Sequence, residues 1–471
     1  MNKPFKILLY LLLVNVLLLC ISFVFPKKGI ALSDDIQIKF PSVTDYFSSK
    51  PKDSTSIRVE KLAIKYEMAI LSEDSLQWNL PFESPDSLNA ASEKIIHPND
   101  FENALAPFYK KLDKIKDGEL VRVLHFGDSQ IEGDRISGVI RGMLQEKFGG
   151  CGVGYLPITD PGFDRKNIHR NSTGWDKYSV VRSQKTSPHN KYGVLGNYCQ
   201  WGKNGASISL SKNEKTYQRT QKFEQISLLY GNASEDFSYS FSTDTTVLLE
   251  GTLPADSGAR NFQWTYNGFG KAAIKFNFSG GKSPDVYGIS LDCKSGVAVD
   301  NVSMRGSAGN DFSKMDKKAL QQQIQELNVG LIIYEFGVNI VPNVLNDYGW
   351  YKQMVVQQIT LLKKLAPGAA ILIVGVSDMC KKEETDFVSY PNIEKIRKAQ
   401  KEAAQITGCA FWDLYEVMGG KNSMFEWVAA NPPLAEKDYT HFTWRGANIV
   451  GNKMANAILM DYNEFKELEI Y

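Results

Sequence analysis

Leu120-Val121-Arg122-Val123-Leu124-His125-Phe126-Gly127-Asp128-Ser129-Gln130 is the stretch on which the reading of the chain turns. Leu120 to Phe126 is an apolar run of strand length and predicts a buried strand. Gly127-Asp128-Ser129 predicts a tight turn, and the spacing beyond it predicts a helix from about Arg135 to Phe148. A strand, a turn and a helix in that order place Ser129 beyond the carboxyl end of a strand, where sites form in α/β sheets. There the free N–H groups of a helix start can help to bind an oxyanion. Standing alone, such a serine also reads as a simple helix cap, so a chemical role requires partners.

Downstream, the strand-and-helix rhythm stops and later resumes. From about Arg165 to Lys294 the chain is rich in Ser, Thr, Asn, Gly and aromatics, and its segments alternate with period two. Phe237, Tyr239 and Phe241 alternate with serines, and Ile274, Phe276 and Phe278 with Lys275 and Asn277, as in half-buried antiparallel strands. This predicts an inserted all-β sandwich over 165–295. After it come a strand Val297–Met304, a helix around Leu320–Leu327, a strand Val329–Phe336, a helix Tyr351–Leu365 and a strand Ala370–Val376. A helix Ile393–Ile406, a strand Ala410–Leu414 and a last helix from about Arg445 to Tyr462 follow. The expected fold class is α/β: a doubly wound, mainly parallel three-layer core over 98–164 and 296–471, interrupted by the sandwich.

Upstream, a helix is expected from Asn99 or Asp100 to about Lys116, with Phe101, Leu105, Phe108 and Leu112 on one face. Residues 33–97 are polar, irregular and marked by Pro41, Pro51, Pro81 and Pro85, which predicts a stalk or lead-in. Ile7 to Phe25 is almost unbroken apolar sequence, interrupted by Asn15 and Ser22 and flanked by Lys3, Lys6, Lys27 and Lys28. Residues 1–32 are therefore expected to be a transmembrane signal anchor, with Gly29-Ile30-Ala31 leaving cleavage open, and the rest of the chain is expected to be exported, periplasmic or at the cell surface.

The 471 residues carry 54 Lys+Arg against 53 Asp+Glu, a net charge of +1. That gives no global field for nucleic acid, and no basic run with interleaved aromatics appears. No C-x-x-C or His/Cys cluster of zinc spacing is present, so neither a metal nor a cofactor is expected. Cys151, Cys199, Cys293, Cys380 and Cys409 lie beyond the apolar segment, and Cys199 and Cys293 share the β-rich region and are able to pair after export.

A serine nucleophile needs a base, usually histidine, oriented by a carboxylate. With five histidines the search runs by elimination. His97 precedes Pro98, His125 lies inside the first core strand, and His169 and His189 fall in or beside the insert. His441 remains, in Asp438-Tyr439-Thr440-His441, just before the last helix. This spacing lets Asp438 hold one ring nitrogen while the other faces outward. Gly306 and Asn339 follow the next two core strands. A glycine N–H and an asparagine amide there, with the Ser129 N–H, can form an oxyanion hole, although each also reads as a turn residue.

Taken in order, Gly127-Asp128-Ser129-Gln130, Arg305-Gly306-Ser307, Gly337-Val338-Asn339 and Asp438-Tyr439-Thr440-His441 resemble the four blocks of the SGNH, or GDSL-like, hydrolases. The resemblance spans about Leu120 to Asp461 apart from the insert. It departs at Gln130, where leucine is common, and at Ile340, where an acidic residue is frequent. A long β-rich insertion between the first two blocks, preceded by Gly149-Gly150-Cys151-Gly152-Val153-Gly154-Tyr155, resembles the peptidoglycan O-acetylesterase branch, which carries a carbohydrate-binding-module-like sandwich there. The resemblance implies a serine esterase in which Ser129, His441 and Asp438 are catalytic and remove acetyl groups from an acetylated glycan. It also allows an O-acetyltransferase partnering a membrane acyltransferase. From a different class comes a non-catalytic glycan-binding protein using Trp175, Trp201 and Trp264, although each of these also reads as a core or loop packing residue.

Overall fold

The computed structural model describes residues 3–25, 30–33, 36–38, 59, 93–98, 103–159, 168–183, 185–213, 218–243, 246–266, 268 and 273–469. The chain divides into two compact units, Met1–Ile57 and Arg58–Tyr471. In the first, α1 (Lys3–Val24) takes up the apolar segment, and β1 (Ile30–Ser33) pairs antiparallel with β2 (Ile36–Ile38). Among the described residues no helix is long and apolar enough to cross a membrane, so the expected span is not found. Most of the expected stalk lies outside the described residues, as do Asn99, Asp100 and Phe101 of the expected first helix.

The second unit opens with α2 (Ala106–Leu112), which is shorter than expected: Pro107 sits in its first turn, and the chain tightens into a 3-10 turn at Asp113–Asp117. Then come β3 (Leu120–Gly127), a 3-10 segment Ser129–Asp134, α3 (Ser137–Phe148) and β4 (Gly152–Pro157). The inserted strands are β5 (Ile168–Thr173), β6 (Trp175–Ser179), β7 (Asn197–Trp201), β8 (Ala206–Lys212), β9 (Gln225–Ala233), β10 (Phe237–Thr243), β11 (Thr246–Leu253), β12 (Asp256–Thr265), β13 (Ile274–Ser279) and β14 (Asp285–Asp292). The rhythm resumes with β15 (Gly296–Ser303), α4 (Lys317–Glu326), β16 (Val329–Glu335), α5 (Gly349–Leu365) and β17 (Ala370–Val374). A hairpin of β18 (Cys380–Glu383) and β19 (Asp386–Ser389) precedes α6 (Ile393–Thr407), β20 (Ala410–Trp412), α7 (Leu414–Met418), α8 (Ser423–Ala429) and α9 (Trp444–Glu469).

The core sheet has the order β15-β3-β16-β17-β20, all parallel. In chain order that is second, first, third, fourth, fifth, the flavodoxin-like arrangement. Period two divides each strand between two layers. Leu124, Phe126, Ile332 and Tyr334 pack with Leu320, Val355, Ile359 and Ile396 of α4, α5 and α6. Val121, Val123, Leu331 and Ile333 pack with Phe108, Ile140, Leu144 and Met454 of α2, α3 and α9.

The insert is two antiparallel sheets, β11-β10-β13-β8-β5 and β12-β9-β14-β7-β6. They share a core of Phe237, Phe241, Phe276, Leu228, Tyr230, Val286 and Ile289. β4, expected in the α/β core, instead pairs with β14, so the sandwich draws its strands from Gly152 to Asp292. That pairing sets Cys151 opposite Cys293. The two form a disulfide with Cα atoms 5.0 Å apart, so Cys293 does not take the pairing with Cys199 that the sequence left open. Cys199 is buried and free, its thiol pushed up by burial. Buried Arg122 of β3 ties the two layers together, bonding Asp300 of β15 at 2.8 Å and Asp292 of β14 at 2.7 Å. One guanidinium thereby bonds two carboxylates that would be costly to bury without a partner.

Candidate active site

The register of the core sheet decides what meets at its carboxyl edge. Gly127 of β3 is level with Ser303 of β15 and with Glu335 of β16. The turns that follow these strands therefore emerge side by side, bringing Ser129, Gly306 and Asn339 to one edge. Asp128 shapes the first turn. Its carboxylate accepts the Gln130 N–H at 3.0 Å and the Gly337 N–H at 3.2 Å, joining the Ser129 turn to the Asn339 turn. Asp128 is buried, and desolvation outweighs those hydrogen bonds, so its pKa is raised to about 7.

Met304 to Ser307 is a turn closed by the Ser307 N–H on the Met304 carbonyl at 2.9 Å. Gly306 has φ of 81°, as the third position of a type II turn requires. The Asn339 amide donates to the Ser307 carbonyl at 2.9 Å, linking the glycine and asparagine turns. One Nδ2 hydrogen is used in that bond, and the second is left for another acceptor.

The fourth segment arrives from the loop before α9. Ser129 Oγ lies 2.8 Å from His441 Nε2, and His441 Nδ1 lies 2.6 Å from Asp438 Oδ2. The other Asp438 oxygen accepts the backbone N–H groups of Thr440 and His441, each at 3.0 Å. Partial burial pushes the Asp438 pKa up, but the bonds from the His441 ring and from the two N–H groups outweigh it and hold the carboxylate at about 2. Ser129 is 9% exposed, so its hydroxyl is covered but reachable.

The remaining histidines lie away from this edge or are held by other partners. His125 is buried between Glu335 at 2.9 Å and Ser137 at 2.8 Å. His97 bonds Asp461, and His189 faces Asp285. His169 lies on β5 of the insert, exposed. Among the described residues no group of three or more His, Cys, Asp or Glu is gathered to hold a metal. The tryptophans proposed for sugar stacking point the other way. Trp201 and Trp264 are buried in the sandwich core, and Trp175 sits edge-on to Trp201 with its indole N–H on the Ser207 carbonyl.

Several residues that support this edge are not apparent from the sequence. Gln130 is buried, and its Nε2 donates to the Thr440 carbonyl at 2.7 Å and to Ser377 Oγ at 3.3 Å, pinning the histidine loop beside the serine. Its replacement of the common leucine is the one sequence signal for this role. Arg135 bonds the carbonyls of Ser129 at 2.7 Å and Phe442 at 2.8 Å. Tyr439 has φ of 56°, and its ring stacks on Phe387 of β19 with centroids 3.7 Å apart.

No sequence-family model matches the chain, and no curated protein does. Among solved structures, that of a peptidoglycan O-acetylesterase superposes with a TM-score of 0.63 at 21% identity, covering 79% of this chain and 99% of the other. A salicylyl acyltransferase from a tetracycline biosynthetic pathway gives 0.29 at 11% identity, covering 66% of this chain and 98% of its own. A family two carbohydrate esterase from Cellvibrio japonicus gives 0.26 at 8% identity, covering 63% and 98%. The last two superpose too poorly to bear on the fold. The first shows that this chain has the fold of that esterase, so the SGNH resemblance of the four blocks rests on a shared fold as well as on motifs.

Proposed function

We propose that the chain is a serine esterase of the SGNH type that removes O-acetyl groups from a cell-envelope glycan, with peptidoglycan as the substrate. The observation that carries this reading is the continuous relay from Ser129 Oγ through His441 to Asp438 at 2.8 and 2.6 Å. In this mechanism His441 Nε2 takes the hydroxyl proton as Oγ attacks the acetyl carbonyl, and Asp438 stabilises the imidazolium that results. The N–H groups of Ser129 and Gly306 and the Asn339 amide receive the oxyanion. His441 returns the proton to the departing sugar oxygen, freeing it as a hydroxyl, and water, activated by the same ring, releases acetate from Ser129.

The Cys151–Cys293 disulfide supports an exported protein, since disulfides persist in oxidising compartments. The apolar amino-terminal segment then serves as the export signal. The test is acetate release from O-acetylated peptidoglycan by the wild type and by Ser129→Ala. Wild-type activity should exceed that of the variant by at least about 10³-fold. Equal rates would remove the nucleophile and with it the reading. Acetate found on an added sugar acceptor instead of in solution would replace hydrolysis by acyl transfer.

A further inference from the structure

Arg182 belongs to the insert, in the segment between β6 and β7, yet it reaches the edge where the core presents its turns. A Cβ built on Gly306 would lie 2.9 Å from Arg182 Cζ and 3.0 Å from its Nε and Nη2, so the guanidinium lies directly against the glycine of the oxyanion turn. Arg182 is exposed, has φ of 49°, and makes no hydrogen bond or ion pair among the described residues. Its segment is nonetheless anchored. Val180 N–H bonds the Gly196 carbonyl at 3.0 Å, and Val180 and Val181 pack on the cluster that contains Met304 and Val338. The neighbouring Arg305 is 60% exposed and has Glu132 at 3.5 Å. Two guanidinium groups therefore flank the Gly306 turn, with Glu132 beside one of them.

An oxyanion donor has to be fixed before the reaction to be effective, and Arg182 is not held by any partner. A planar, unpaired cation on an exposed rim is instead suited to forked recognition of a carboxylate brought by a ligand. We propose that Arg182, assisted by Arg305, forms a subsite for a carboxylate carried by the glycan close to the ester that Ser129 attacks. The substrate class is thus an acetylated acidic glycan. Its carboxylate is either that of a uronic acid or that of a peptide or lactyl substituent. The inference rests on the esterase reading and adds the charge of the substrate to it.

The test compares wild type, Arg182→Gln and Arg182→Lys on O-acetylated polygalacturonate, O-acetylated muropeptides and a neutral N-acetylchitooligosaccharide that also carries O-acetyl esters. In Arg182→Gln the ratio of kcat/KM on an acidic substrate to that on the neutral one should fall about 10- to 100-fold, mostly through KM, with part of it restored in Arg182→Lys. The acidic substrate that shows the effect identifies the source of the carboxylate. A ratio unchanged on both acidic substrates, or equal losses on acidic and neutral substrates, would overturn the subsite. Should wild type and Ser129→Ala hydrolyse none of the three, the esterase reading fails by itself. Calorimetric binding of the deacetylated polymers then decides the subsite: tighter wild-type binding of an acidic polymer that Arg182→Gln loses supports it, and equal affinities overturn it.

Discussion

Replacing Asp438 by Asn would leave His441 facing a neutral amide, which neither favours the tautomer with hydrogen on Nδ1 nor stabilises the imidazolium. The expected result is a kcat on a simple acetyl ester lower by about 10²- to 10⁴-fold with little change in KM, measured by steady-state kinetics. The same carboxylate sets a pH expectation. Its folded pKa of about 2 lies below an unfolded value of about 3.9, so the stability it lends is complete above about pH 4 and is lost as pH falls through about 2. An acidic limb of the wild-type rate profile above about pH 4 therefore does not come from Asp438. The residues of the relay were legible because their chemistry restricts the choice: few histidines were available, and one stood three positions from a carboxylate before a helix. Gln130 and Arg182 were not legible. The backbone carbonyl that Gln130 bonds lies 310 residues away, and Arg182 becomes relevant only when the insert folds over Gly306.

Among the elements, the β18–β19 hairpin has the least obvious purpose and the clearest mechanical role. Asp378 accepts Ser389 Oγ and the Met424 N–H, each at 2.9 Å, fastening the hairpin to α8. From that base Phe387 stacks on Tyr439, and the Tyr439 carbonyl accepts the Cys380 N–H at 3.0 Å. A left-handed conformation costs a non-glycine residue about 1–2 kcal/mol, and an aromatic pair returns about 0.5–1.5 kcal/mol beyond its burial. The two nearly balance, so the stack is what keeps Tyr439 turned and His441 aimed at Ser129. Phe387→Ala should therefore lower kcat by about 3- to 10-fold at unchanged KM while the melting temperature drops by only a few degrees. An unchanged kcat would mean that the loop holds itself. This hairpin was not expected from the sequence, since Cys380–Ser389 carries lysines and acids without a clear period and its strands are short. The core strands were legible for the opposite reason, because parallel strands covered on both faces must be continuously apolar. β4 misled because its glycines and mixed pattern gave no sign of which sheet would take it.

At the scale of the molecule, the insert is tied to the core at one edge of the sheet and reaches the other. It leaves α3 and returns to β15 beside Gly296, which is level with Leu120 at the amino-terminal edge. The Cys151–Cys293 disulfide lies at that root and closes a loop of 142 residues. The segment bearing Arg182 reaches the opposite, carboxyl edge at Gly306. Sequence could not have paired these cysteines, because the pairing follows from β4 joining β14, a contact between the two ends of the insert. On a chain-entropy argument a loop of this length stabilises by up to about 5 kcal/mol, with roughly 2–5 kcal/mol typical for native bonds. The double variant Cys151→Ser, Cys293→Ser should then unfold at a clearly lower denaturant concentration. The wild type treated with reductant should move to the same midpoint, since the other described cysteines of this unit, Cys199, Cys380 and Cys409, are free. Because the bond lies at the far edge from Ser129, the folded variant should retain most of its kcat on a neutral ester. A large loss of kcat without a loss of stability would show that the root of the insert and the carboxyl edge are coupled through β15.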